Sequence, residues 1–148
     1  MTTKEETMTA ASRMSTMVKA VTCLERKATV QLLAETAMAL RHTLGTGSEE
    51  DNRTLDRLER TVWLELVHAC RDRREREYLI EQARATVAPP GALSCRHAAR
   101  LLVRLGGLLL HTAAQLPTRE RDQARRIARE CGAGAVRLER IALETGGL

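Results

Sequence analysis

Phenylalanine is absent from this 148-residue chain, and the aromatic side chains are one Trp (Trp63) and one Tyr (Tyr78). A core must then be built from Leu, Val, Ile, Met and Ala, whose burial accumulates along extended helix-to-helix seams. Proline occurs only three times, as Pro89, Pro90 and Pro117, which leaves long stretches without a helix breaker. The four cysteines, Cys23, Cys70, Cys95 and Cys131, form no CxxC pair, so neither a secreted disulfide framework nor a redox motif is indicated. The opening MTTKEETMTAASRM is polar and of mixed charge, unlike the apolar core of a signal peptide. The most apolar later run, 101–110, is interrupted by Arg104 and is too short to span a bilayer. The expectation is a cytoplasmic protein with reduced thiols. No Gly-rich phosphate loop, nucleophile elbow or Ser/His/Asp arrangement occurs. No catalytic residue is assigned, no cofactor is implied, and the reading leans away from an enzyme.

What the chain has in abundance is Ala, Leu, Arg and Glu, a helical composition of one-domain length. Its charge is lopsided. Residues 1–88 hold 14 basic and 14 acidic side chains, whereas residues 89–148 hold 10 Arg against 5 acids. The whole excess therefore lies in the C-terminal part, where a positive field favours acidic partners, protein or nucleic acid.

Residues 1–12 read as a disordered polar tail and 13–148 as a single helical-bundle domain. A first helix is expected over 14–44, with Met17, Val21, Leu24 and Ala28 at 4-3-4 spacing and Glu35 continuing that stripe inward. Gly45 and Gly47 stop it. Ser48-Glu49-Glu50-Asp51 has the form of a capping box, opening a second helix expected over 49–87. Within it, TVWLELVHAC (61–70) is apolar on nearly every side and reads as buried, while RDRRERE (71–77) is polar all round and reads as an overhang. Pro89-Pro90-Gly91 is the strongest break. Third and fourth helices are expected over 93–116 and 119–144, turned by Pro117-Thr118. The small residues Gly106-Gly107 and Cys131-Gly132-Ala133-Gly134-Ala135 suggest one close helix crossing. The fold class is all-α, a four-helix bundle running up-down-up-down as two hairpins joined at Pro89-Pro90-Gly91. Surplus apolar seam on the first two helices implies a homodimer or a helical partner.

Several constellations could carry chemistry. Glu35 on one helix and Glu65-x-x-His68 on the next aim carboxylates and an imidazole at one point. In these three positions the chain resembles ferritin-like proteins, including encapsulated ferritins that complete a di-metal site across a dimer. The resemblance implies metal binding by Glu35, Glu65 and His68, against a plain reading as hydrogen-bonded buried polar groups. His68-x-Cys70 and Cys95-x-His97 offer four zinc-type ligands, yet i and i+2 on a helix point to opposite sides. Arg104 and His111 resemble the Arg-x4–6-His spacing of HEPN-type ribonucleases, in spacing alone, on a polar stripe that also holds His97, Arg100 and Gln115. His42-Thr43-Leu44-Gly45 is similar to the phosphorylated segment of histidine phosphotransfer bundles but lacks the Lys expected after the Leu.

The remaining constellation is the Arg cluster Arg119, Arg121, Arg125, Arg126 and Arg129, with Arg137 and Arg140 beyond it. Guanidinium forks suit phosphates and carboxylates, although Glu120, Asp122 and Glu130 are interleaved and no aromatic stands nearby for stacking on bases. The leading expectation is a non-enzymatic helical interaction module, an adaptor, chaperone-like or regulatory protein, docking on a partner with an acidic or apolar helical surface. The first alternative is a nucleic-acid-associated subunit holding phosphates through the Arg cluster. The second is a ferritin-like di-metal protein.

Overall fold

A computed structural model of the chain describes residues 23–87 and 91–145. They form five helices: α1 (Cys23–Thr43), α2 (Glu49–Ala69), α3 (Arg73–Arg84), α4 (Ala92–Ala113) and α5 (Thr118–Glu144). No strand occurs among the described residues, so the fold is all-helical and compatible with a bundle. The tail 1–12, together with Met17 and Val21, lies outside the described residues.

The helix expected over 49–87 is in fact two, which brings the helices of the described residues to five. Cys70 leaves α2 in an extended conformation, and Asp72 opens α3 by accepting a hydrogen bond from the Glu75 backbone N–H at 2.9 Å. Glu75 accepts in turn from the Arg71 backbone at 3.1 Å. No Pro or Gly forces this break. Its cause lies on α1, where Arg26 donates to the Ala69 carbonyl and to Glu75, both at 2.9 Å. One guanidinium thus serves the end of α2 and the first turn of α3.

These contacts also fix how the helices lie. Arg26 meets the end of α2, while Arg41 binds Glu59 at 2.6 Å, so α1 and α2 are antiparallel. Thr46 Oγ1 stands 3.5 Å from Cys95 Sγ, which puts the start of α4 at the far end of α1, whose last residue, Thr43, is ~26 Å along the axis from Arg26 at 1.5 Å per residue. The seven residues 85–91 span at most about 25 Å. That reach is no more than the length of α1 itself, and α3 packs along α1 on the way, with Ala83 buried. The segment 71–77 is therefore no overhang: Arg71 to Arg74 are exposed, but Glu75 and Arg76 face inward in part.

Leu40, Leu55, Leu66, Leu102, Leu105, Ile127, Leu138 and Ile141 are almost completely buried, so α1, α2, α4 and α5 share one core. TVWLELVHAC is less enclosed than its composition suggests. Val62, Glu65, Leu66 and Ala69 are buried, but Leu64 is 47% exposed. Trp63 lies at the margin, with Arg41 over its ring at 4.4 Å and Arg76 at 5.9 Å, a cation–π arrangement. Where the small residues of α4 and α5 meet, the spacing is ordinary: a Cβ added to Gly106 would stand 3.4 Å from the Ala128 carbonyl and 3.5 Å from Cys131 Cβ, within normal van der Waals contact.

Candidate interaction surface

The metal candidates are placed differently from one another. Glu35 is half-buried and accepts from Gln31 at 3.1 Å in an exposed setting, so the inward course expected for it is not taken: the stripe drifts sideways as it passes Gln31. Glu65 is 2% exposed, and its Oε1 has no hydrogen-bond partner among the described residues. Burial pushes its carboxyl up to about 8, which keeps it protonated at neutral pH. His68 is half-buried. Among the described residues no group of three His, Cys, Asp or Glu could hold a metal ion. The four zinc-type residues are likewise separated, because Cys70 lies at the Arg26 end of α1 and Cys95 at the Thr46 end. Arg104 and His111 both stand exposed on α4, two turns apart.

A second buried acid is fully served. Asp51, 2% exposed at the start of α2, accepts from the Ser48 backbone N–H at 3.1 Å, while its own N–H donates to Ser48 Oγ at 3.1 Å. Arg137 and Arg140 of α5 both bind its Oδ1. Burial alone would raise this carboxyl. The hydrogen bonds from Arg137 and Ser48 and the charge of Arg140 outweigh it and lower it to about 2. The capping box legible in the sequence is thus also the clasp between α2 and α5.

The Arg cluster divides. Arg121 is half-buried and turns back to the Leu116 carbonyl at 3.1 Å, and Arg126 binds Gln123 at 2.7 Å. Arg119 is exposed at the start of α5, well round the helix from Arg125. Arg125 and Arg129, both exposed, make no ion pair or hydrogen bond among the described residues. They belong to a row at 4-3 spacing, 122-125-129-132-136-139-143, on the flank of α5 facing away from α2. A matching row, 96-100-103-107-110, runs along α4. Both rows have the period of a coiled-coil seam, but here they look outward, beside the seam that joins the two helices.

Between the rows lies an open apolar trough of about 590 Å³, lined by Ala99, Arg100, Val103, Arg104, Gly132, Ala135, Val136 and Glu139. Val103 is 63% and Val136 72% exposed, and Leu110 and Leu143 extend the same rows. Gly107 and Gly132 face open space, with nothing within 4 Å of an added Cβ. Each helical Gly costs ~1 kcal/mol relative to Ala, and no neighbour among the described residues requires either one. This surface was missed in the sequence because Arg100, Arg104 and His111 read as an ordinary polar face. Its signal was the second 4-3 row on each helix.

No helix of the described residues is long and apolar enough to cross a membrane. No protein-family model matches the chain, and no curated protein or solved structure is significantly similar to it.

Proposed function

We propose that the protein is a non-enzymatic helical interaction module, an alternating up-and-down bundle whose α4–α5 hairpin docks a helix of a partner protein. The observation that carries this reading is the outward trough between the two 4-3 rows, an apolar floor rimmed by charge and left uncovered by the other described residues. Contiguous exposed apolar surface with a polar rim marks interaction sites, and helix-in-groove recognition uses anchors at this spacing. The test is site-specific photocrosslinking in the native cells. A photoreactive residue at Val103 or Val136 gives a discrete higher-mass adduct, whereas the same group at Tyr78, exposed on α3, gives none. Absence of an adduct from both trough positions rejects the reading.

A second reading has one specific observation in its favour: Arg125 and Arg129 carry no partner among the described residues and stand on the same row of α5 as Gly132 and Val136, which line the trough with Arg100 and Arg104. On this reading the surface holds nucleic-acid phosphates. Affinity for DNA or RNA would then fall steeply with salt and fall again when Arg125 and Arg129 become Ala. The apolar floor, which contributes nothing to phosphate binding, favours the first reading.

A further inference from the structure

Resting on the docking reading above, the charge of the trough's rim identifies its occupant: we propose a single amphipathic helix with acidic flanks, supplied by another protein. The α4 row and its margin hold Arg96, Arg100 and Arg104, and the α5 row holds Arg125 and Arg129. The acids on these rows are Glu139, which lines the trough, and Asp122, one turn before Arg125 on the α5 row. None of these seven side chains has an ion-pair partner among the described residues. Elsewhere Arg41 is engaged with Glu59, Arg73 with Glu77, and Arg137 and Arg140 with Asp51, while Arg53, Arg57, Arg74 and Arg119 stand exposed without an ion pair among the described residues. Beside the apolar floor the unpaired charge is mostly of one sign.

The geometry selects a helix of definite form. Gly132 in the floor and Gly107 on the α4 row let a backbone approach closely, as small residues do at tight crossings. The α5 row from 125 to 143 is ~27 Å long, which matches about five turns of a docked helix. That helix would place apolar residues at i, i+3 or i+4 and i+7 on Val103, Val136 and Leu143, with carboxylates on both sides toward the arginines. A second copy fits less well. An isologous dimer through this surface would bring five arginines against five with only Asp122 and Glu139 on each side to answer them, and like charges across an interface oppose association.

The test is a displayed library of 20-residue helical peptides with leucines fixed at i, i+3, i+7, i+10 and i+14 and the flanking positions randomised. It is selected on the full chain and counter-selected on Val136→Arg. Val136 is 72% exposed, so this variant should keep the wild-type helical circular dichroism and melting temperature. The expected result is enrichment of Asp and Glu at the flanks. Selected peptides should lose at least tenfold in affinity for Arg100→Glu/Arg129→Glu and weaken with added salt. Enrichment of neutral or basic flanks overturns the acidic occupant while leaving the docking surface standing. No enrichment over Val136→Arg overturns both. A wild-type dimer in sedimentation equilibrium that Val136→Arg makes monomeric gives the trough to a second copy and overturns the proposal. Competition by single-stranded RNA or DNA that displaces every selected peptide gives the surface to nucleic acid, with the same consequence.

Discussion

Gly132 and Gly134 stand two residues apart on α5 and meet opposite surroundings. A Cβ on Gly134 would lie 2.5 Å from Leu58 Cδ2 and 3.2 Å from Leu102 Cδ1, whereas one on Gly132 would meet nothing within 4 Å. The arginines of the same helix divide in the same way. Arg137 and Arg140 turn toward α2 and close on Asp51, while Arg125 and Arg129 turn outward and close on nothing. One flank of α5 is therefore an internal seam in which polar groups are paired and glycine serves packing. The other has the same residue types with no internal partner. Identical local chemistry acquires structural or interactive meaning only from what stands opposite it.

The largest effect expected within the core concerns Glu65, close enough for its charge to act on the Cys131 thiol, which burial first, with Glu130 and Glu65, pushes up to about 12. Its folded carboxyl keeps a proton to about 8, against 4.5 as the ordinary value. Between those values the native state binds more protons than the unfolded one, so stability falls as pH rises through the window. Glu65→Gln should remove that slope and gain on the order of 3 kcal/mol at pH 7. Urea midpoints of both proteins at pH 5 and pH 7.5 check this, and an equal difference at the two pH values refutes it.

Next in size is the clasp. Asp51→Ala should cost about 2 kcal/mol, since a helix cap and two charged hydrogen bonds are lost together. In the wild type the contribution has the opposite pH sign from that of Glu65. The Asp51 carboxyl is held at about 2 against 3.8, so its stabilisation is present above the upper value and lost as pH falls through the window. Acid denaturation of the alanine variant should be correspondingly flatter below pH 4.

The two glycines then test the comparison by sign. Gly134→Ala should lose about 1 kcal/mol, because overpacking against Leu58 outweighs the gain in helix propensity. Gly132→Ala should gain up to ~1 kcal/mol on propensity alone. Thermal melts decide it, and a loss for Gly132→Ala would mean that the outer flank is covered. Smallest of all is Arg125→Ala/Arg129→Ala, expected to shift stability by less than ~0.5 kcal/mol. A larger loss in chemical denaturation would mean that these side chains have an internal role.

Much of the fold was legible because its signals are local. Ser48 and Asp51 read as a cap and are one, and Gly45 and Gly91 lie between helices where expected. Asp72 and Glu75 carry the same three-residue spacing, yet the polar run around them reads equally well as a continuous helix. What chooses the break is Arg26, 43 residues from the carbonyl it binds. Of the candidate site, the arginines 125 and 129 were legible as part of a basic cluster. Arg119, Arg121 and Arg126 belong to that cluster in sequence but not on the trough, since 100° per residue disperses neighbours around the helix.

By itself the sequence determined that this chain is helical and where most helices start and stop, because capping, propensity and periodicity act within a few residues. It also set the excess of positive charge toward the C-terminal part. The tertiary structure alone decided that α3 folds back on α1, that Asp51 holds α5, and that one flank of the last helix is covered while the other stays open. Those outcomes depend on partners tens of residues away, and no local pattern encodes which of two similar faces will find one.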